Sequence, residues 1–459
     1  MMQQMKTASM LAAGLVAAAA MGGSAGDPTL AVDGRPRPMF AKAFGLIRSG
    51  MVTNAVYGFK DPFFAPGSTY GQNWWQIDST SALEAWKWRD FEFSVRAIRN
   101  FLRVQRPDGR IPLWGCDRIP RSRNHSGQED GISSLPVLFR TALDMAVMRN
   151  DPAFTREMFG MCSRYLDWWI SARRDAATGL IASVFEETFP PHLGYSGEFA
   201  GVDTGVMVAL GAEWTAELAD RLGDAAAARK RRRQAQEIFA AMRARMWDGD
   251  GNMFRPLHLK TGARGFESVE GFYMFADRSL PPDMRGGMLT TLTGPRFGWG
   301  RIPLTSMAVD SPCYTNTVGR KYQFNASWSG NVWTLVNRWT VHALLRAGCE
   351  KEAVSLARST IRLIDAAGTF DEFYSPVDGS AQGGLDYVWT AAHYVVLTLE
   401  DLLGVSFDGA AGGLSVKPRV DCDFRIDGLA LPDGRTARID RVGGHTAITF
   451  FPQTNTRNP

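Results

Sequence analysis

From about residue 78 to residue 403 the chain repeats one theme: an amphipathic helix, a loop rich in Gly, Pro and aromatics, then another helix. Phe91, Val95, Ile98 and Leu102 share one helical face, as do Val206, Leu210, Trp214 and Leu218. Ile238, Met242 and Met246 continue the pattern, and Val332, Val336, Trp339 and Ala343 follow it. Roughly ten to twelve such segments succeed one another, with few strands among them. So many helix pairs can stack as a solenoid or close into a toroid. A solenoid repeats at a fixed period with a shared consensus. Here loop lengths vary, and the long loops carry Trp, Gly, Pro and carboxylates. A closed double ring gathers such loops over one funnel, so the pattern points to an all-α (α/α)6 toroid.

The ends of the chain read differently. Lys6, the apolar run Met10 to Met21 and the small residues Gly22-Gly23-Ser24-Ala25 have the layout of an export signal over residues 1–25. That run is shorter than the ~20 residues a membrane span needs, and no later segment is apolar enough to span. The expectation is a periplasmic or secreted protein. Residues 26–72 form an N-terminal segment and 73–405 the barrel. Residues 406–459 form a small β-rich appendage, where Gly413 to Val416 and Thr446 to Phe451 look like strands between turns. The tail from Thr454 to Pro459 reads as frayed.

Composition removes several function classes. Against 47 acidic residues stand 51 basic ones, too even a balance for a nucleic-acid partner. The dense cationic run Lys230 to Arg233 reads as a solvated helix face. Five widely spaced cysteines show no metal-ligand spacing and read as simple buried thiols, so neither metal nor cofactor is expected. There is no nucleophile elbow, P-loop, HExxH or dinucleotide fingerprint. The six histidines are scattered and support no relay.

What stands out is carboxylates among aromatics. Of 14 tryptophans, Trp74, Trp75, Trp114, Trp299, Trp328, Trp333 and Trp389 lie in or beside loops, where flat rings suit the C–H faces of sugars. Glu372 follows Asp371 in Gly368 to Pro376, an aromatic-lined loop where a carboxyl can be kept dry and its pKa tuned. A second carboxylate is needed across the scissile bond. Glu186 and Glu187 stand in a similar loop, and Asp203 opens a helix that it could equally cap. Asp78, after Trp75 and Gln76, either caps its helix or grips sugar hydroxyls.

With these residues in place the chain resembles the (α/α)6-barrel glycosidases of the trehalase and processing α-glucosidase type, including mannosylglycerate hydrolase-like members. The likeness runs from about Trp74 to Val405. It is carried by Trp75-Gln76-Ile77-Asp78, by Gln105 to Pro112, by Val202-Asp203, by Trp328-Ser329-Gly330-Asn331-Val332-Trp333, by Phe370 to Pro376 and by Tyr387-Val388-Trp389. The resemblance implies an inverting hydrolase of an α-linked oligosaccharide or glycoside, with Glu372 as general base. Trp75, Gln76, Asp78, Trp328, Gly330, Trp333, Tyr374 and Trp389 would bind the sugar. The chain departs from the family where the acid should lie: no Asp stands in the expected motif, and Ser329 replaces an Arg. Glu186 aligns with the motif's Glu, which leaves Glu187 as the expected acid. Two alternatives are a barrel that binds carbohydrate without cutting it, and a polysaccharide lyase on the same toroid.

Overall fold

The computed structural model describes residues 26–52, 59–114, 131–184, 186–189, 196–315 and 328–452. The proposed export signal and the tail after residue 452 lie outside the described residues. The helices in chain order are α1 (Pro38–Ser49), α2 (Gln76–Trp86), α3 (Phe91–Val104), α4 (Leu138–Arg149), α5 (Pro152–Arg173), α6 (Val202–Arg221), α7 (Ala225–Arg245), a 3₁₀ helix (Val269–Ala276), α8 (Pro282–Thr293), α9 (Thr334–Arg346), α10 (Glu350–Ala367) and α11 (Val388–Val396).

Two kinds of helix alternate, and burial separates them. Every residue of α2, of Val269–Ala276 and of α11 is buried, and α6 is buried along most of its length. Helices that lack a solvent face must be surrounded. By contrast α3 and α10 bury one stripe and leave the other wet. Packing follows the same division. The buried helices touch in the cycle α2, α4, α6, Val269–Ala276, α9, α11 and back to α2, and each has one outer helix against it. This is the closed (α/α)6 ring that the loops implied. Close approach is made possible by small residues: a Cβ on Gly211 of α6 would lie 2.4 Å from the Phe139 ring. Three outer helices, α3, α5 and α7, begin on aspartate caps, with Asp90, Asp151 and Asp224 accepting from Phe93 N, Ala153 N and Ala227 N.

Two features differ from the sequence expectation. The ring begins before residue 73, because α1 is the outer partner of α11 and buries Phe40, Ala43, Phe44 and Ile47. The β appendage is also not purely C-terminal. In its five-stranded sheet β1 (Thr29–Val32) lies between β2 (Arg35–Pro36) and Phe424–Ala430, which leads to Arg435–Val442 and His445–Pro452. Leu30 pairs with Ile426 across the antiparallel register, and Ala430 N donates to Trp88 O on the barrel at 2.8 Å. Cys162, Cys313, Cys349 and Cys422 are free thiols. Within the basic run, Arg231 is buried against Asp167, so that helix face is not wholly solvated. Among the described residues no helix is long and apolar enough to cross a membrane.

Because α1 completes the ring, Phe44→Ala should cost about 3–5 kcal/mol, as an aromatic deletion in a packed core does. Denaturant unfolding followed by tryptophan fluorescence would check this; a loss under about 1 kcal/mol would mean that α1 packs only loosely.

Candidate functional site

The loops that enter the inner helices converge at one end of the ring. Trp75 and Asp78 lie at the start of α2, Trp328 and Trp333 before α9, and Tyr387 and Trp389 at the start of α11. Their rings form an unbroken arc. Phe189 stacks on Trp328 at 4.5 Å, and Trp328 on Trp333 at 3.4 Å with planes 5° apart. Trp333 meets Trp389 at 6.0 Å, and Trp389 meets Tyr387 at 4.8 Å. Tyr387 meets Tyr70 at 5.7 Å, Tyr70 meets Trp75 at 6.3 Å and Trp75 meets Trp114 at 4.7 Å. Most contacts beyond the Trp328 sandwich are edge-to-face or tilted, which suits the aromatic quadrupole.

Glu372 sits within this arc and is almost fully buried. Gly384 N donates to Oε2 at 2.8 Å, and the Tyr70 hydroxyl lies 3.1 and 3.2 Å from the two oxygens. Glu372 N in turn donates to Gly384 O. The turn must come this close. Gly383 has φ +76°, and a Cβ there would lie 2.4 Å from Phe373 and 2.9 Å from Oε2 of Glu372. Only glycine fits such a position without strain.

Two further carboxylates reach Glu372 electrostatically. Asp78 is buried, and desolvation first, then the Glu372 charge, holds its carboxyl well above the usual range against a hydrogen bond from Tyr387. Its Oδ1 has no partner among the described residues. Glu186 keeps part of its surface accessible. Burial, followed by the charges of Asp78 and Glu372, pushes its carboxyl up to about 8. Asp78, Glu186 and Glu372 thus form one electrostatically coupled cluster, in which burial and mutual repulsion favour the protonated forms of both Asp78 and Glu186.

Glu187, the expected acid, does not belong to it. Its side chain is fully buried, with Arg173 Nε 2.7 Å from Oε2 and Arg173 Nη2 2.8 Å from Oε1. Ser133 N and Val184 N complete its bonding. Burial raises the Glu187 carboxyl despite the Arg173 fork, but both of its oxygens are taken up and sealed from solvent, so it is not placed to meet a substrate. Asp203 is also withdrawn: it accepts from Thr188 Oγ1, Phe189 N and Thr204 N at 2.7, 2.9 and 2.8 Å. Beside it, burial and the Asp203 charge push Glu270 up to about 8.

Several expected sugar-binding residues prove to be scaffold. Gln76 donates to Ile111 O and accepts from Tyr165, bracing a loop against α5. Tyr374 is buried, and its hydroxyl donates to Thr369 O at 2.9 Å. Gly330 is a close-approach residue whose N–H donates to Ser306 Oγ; a Cβ would lie 2.3 Å from Thr315 O. Ser329 passes its carbonyl to Thr315 N. Trp75, Trp328, Trp333, Asp78 and Trp389 do line the arc, and the indole N–H groups of Trp75, Trp328 and Trp389 are buried without a partner among the described residues. Tyr70 and Tyr387 join the site without a sequence signal of their own. Tyr70 stands alone in a small, polar stretch, and Tyr387 enters only through the family likeness of its segment. Among the described residues no group of His, Cys, Asp and Glu is arranged to hold a metal ion.

A helical double ring whose inner N-terminal loops gather carboxylates and tryptophans defines a class, the six-hairpin glycosidase barrel. Comparison with known proteins narrows it. Residues 190–390 match the mannosylglycerate hydrolase MGH1-like glycoside hydrolase domain. Mannosylglycerate hydrolase of Rubrobacter radiotolerans is 29% identical over 190 residues, a match that spans 40% of this chain and 40% of that relative. The GH63 mannosylglycerate hydrolase of Thermus thermophilus, solved in complex with glucose, superposes with a TM-score of 0.65 at 19% identity, over 79% of this chain and all of the other. A neutral trehalase of Saccharomyces cerevisiae superposes at 0.54 with 14% identity, over 74% of this chain and 73% of its own. The fold is therefore that of the GH63-like six-hairpin glycosidases.

The raised Glu186 carboxyl has a thermodynamic consequence. Between about pH 4.5 and about pH 8 the unfolded chain releases a proton that the folded chain keeps, so folding stability falls as pH rises through that window. Glu186→Gln removes the effect. Its melting temperature should exceed that of the parent at pH 8 by more than at pH 5, read by calorimetry; an equal gap at both would mean that Glu186 titrates normally.

Proposed function

We propose that this protein is an inverting glycoside hydrolase acting on an α-linked oligosaccharide or glycoside, with Glu186 as general acid and Glu372 as general base. The observation that carries the reading is the cluster itself: Glu186 and Glu372 in electrostatic contact, the Glu186 carboxyl raised by burial and by its acidic neighbours, beside an arc of tryptophans. Glu186 would protonate the glycosidic oxygen as the C–O bond breaks. Glu372 would take a proton from the water whose oxygen bonds to the anomeric carbon. Exchange with solvent then returns both groups to their starting states. Asp78, with its unbonded Oδ1, would hold a sugar hydroxyl, and the free indole N–H groups of Trp75, Trp328 and Trp389 would donate to others. The Tyr70 hydroxyl and Gly384 N hold the base in place.

The partial match to a mannosylglycerate hydrolase favours a short glycoside with a small aglycone as substrate. The residues Lys6, Met10 to Met21 and Gly22 to Ala25 support export to the periplasm or beyond, which cell fractionation would test. The absent acid motif is what motivates the binding-only alternative, and Glu186 removes that motive. The one histidine against the described arc, His393 behind Trp389, is buried and held by Thr334, so the lyase reading ranks last.

A panel of α-glycosides that includes mannosylglycerate and trehalose should give at least one substrate, with the product first formed in the β configuration by proton NMR. An α product would exclude inversion. Glu372→Gln should lose turnover by about 10²–10⁴-fold while keeping the parent circular dichroism; near-normal turnover sinks the base assignment. Because Glu186 must be protonated to act, kcat/KM should fall as pH rises through about 8.

A further inference from the structure

Glu186 has an unusual backbone. Among the described residues five other than glycine have positive φ, and four of them are Asp or Asn, which tolerate that region; the fifth is Glu186 at +54°. Glu187 N bonds back to Val184 O at 3.1 Å, so Glu186 occupies the third position of a turn, where positive φ normally calls for glycine. Such a conformation is strained and persists only where the surroundings over-determine it.

The surroundings do so from both sides. Behind the turn, Glu187 is gripped by Arg173 and receives Ser133 N at 2.9 Å and Val184 N at 3.3 Å. Ahead of it, Asp203 holds Thr188 by its hydroxyl and Phe189 by its N–H. Between them Leu135 N donates to Glu186 O at 3.2 Å, so the carbonyl of the strained residue is itself pinned. Arg173 lies at the end of α5, Leu135 just before α4 and Asp203 in the first turn of α6. Arg173 is further fixed by Gly131 O at 2.6 Å and by the Trp168 ring, 4.9 Å from its guanidinium carbon.

We infer that Arg173, Glu187 and Asp203 form a buried clamp of positioning residues, which holds the Glu186 turn in its left-handed conformation and so aims the acid into the arc. None of the three touches substrate. This inference rests on the reading of Glu186 as general acid, and it explains why two acidic residues stand side by side there. In this reading one supplies the proton, and the other locks the turn that carries it.

The test uses leaving groups. A glycosyl fluoride needs little protonation on departure, whereas an alkyl glycoside depends on its acid. Asp203→Asn removes an acceptor at nearly constant shape, and Arg173→Lys keeps the charge but loses the fork. Both are measured in the full chain on the glycoside turned over fastest and on the α-fluoride of the same sugar. Circular dichroism and melting confirm folding. Each variant should lose ~10–100-fold in kcat on the glycoside, as expected for a displaced catalytic group, but under about 3-fold on the fluoride. The descending limb of its pH profile should also move. Equal losses on both substrates would make the clamp merely structural and overturn the inference, as would full activity on both. Glu186→Gln, run alongside, separates the two layers. If it turns over the glycoside normally, the acid assignment itself fails and the clamp has nothing to aim. If it behaves as an acid deletion while the clamp variants do not discriminate, only the inference falls.

Discussion

The arc of aromatic rings and the carboxylate cluster exist only because the inner ring closes, and closure depends on α11 packing at once against α2 and α1. The contact joins the last inner helix to the first and to an outer helix contributed by residues 38–49. The helices that meet there are rich in buried side chains: Phe40, Ala43, Phe44 and Ile47 on α1, and every residue of α11. Were it to open, Trp389 and Tyr387 would leave Trp75 and Tyr70, and the arc would break at its centre.

Deeper along the inner helices the ring is filled by charge rather than by hydrocarbon. Lys87 bridges Asp144 and Glu400 at 3.3 and 2.9 Å, while Arg338 lies 3.8 Å from Glu84 and 3.6 Å from Asp401. Burial pushes Glu84 up to about 7 and Asp401 up to about 6, against the pull of Arg338. Buried ion pairs add little net stability, but stripping one partner is costly. This network fixes how the helices are arranged more than how strongly they hold. The site above it uses the same device, with Arg173 and Glu187 fixing a turn instead of a helix.

Much of this was legible in the sequence, and the failures share one cause. The ring could be read because its helices keep their periodicity, and the place of Glu372 among aromatics because its loop between two helices carries them in sequence. What separates Glu186 from Glu187 could not be read: one has a left-handed φ, and the other is held by an arginine 14 residues earlier. Gln76 and Tyr374 resemble sugar-binding residues by type, yet their polar atoms serve neighbouring loops. Tyr70 was invisible because its partner lies 302 residues away. Helix α1 was obscured by Pro36 and Pro38 at its start and Gly45 within it.

The pairing of Leu30 with Ile426 also governs when this molecule becomes itself. A chain emerging from the ribosome presents α1 with Phe40 and Phe44 uncovered, and their cover is not made until α11 appears far downstream. Contacts of such wide sequence separation form slowly and leave apolar surface open to misassembly. Early hairpins such as α6 with α7 can assemble as they emerge, but the ring cannot. Its closure is an event of the finished chain, so holding α1 soluble in the interval becomes a task for the cell rather than for the fold.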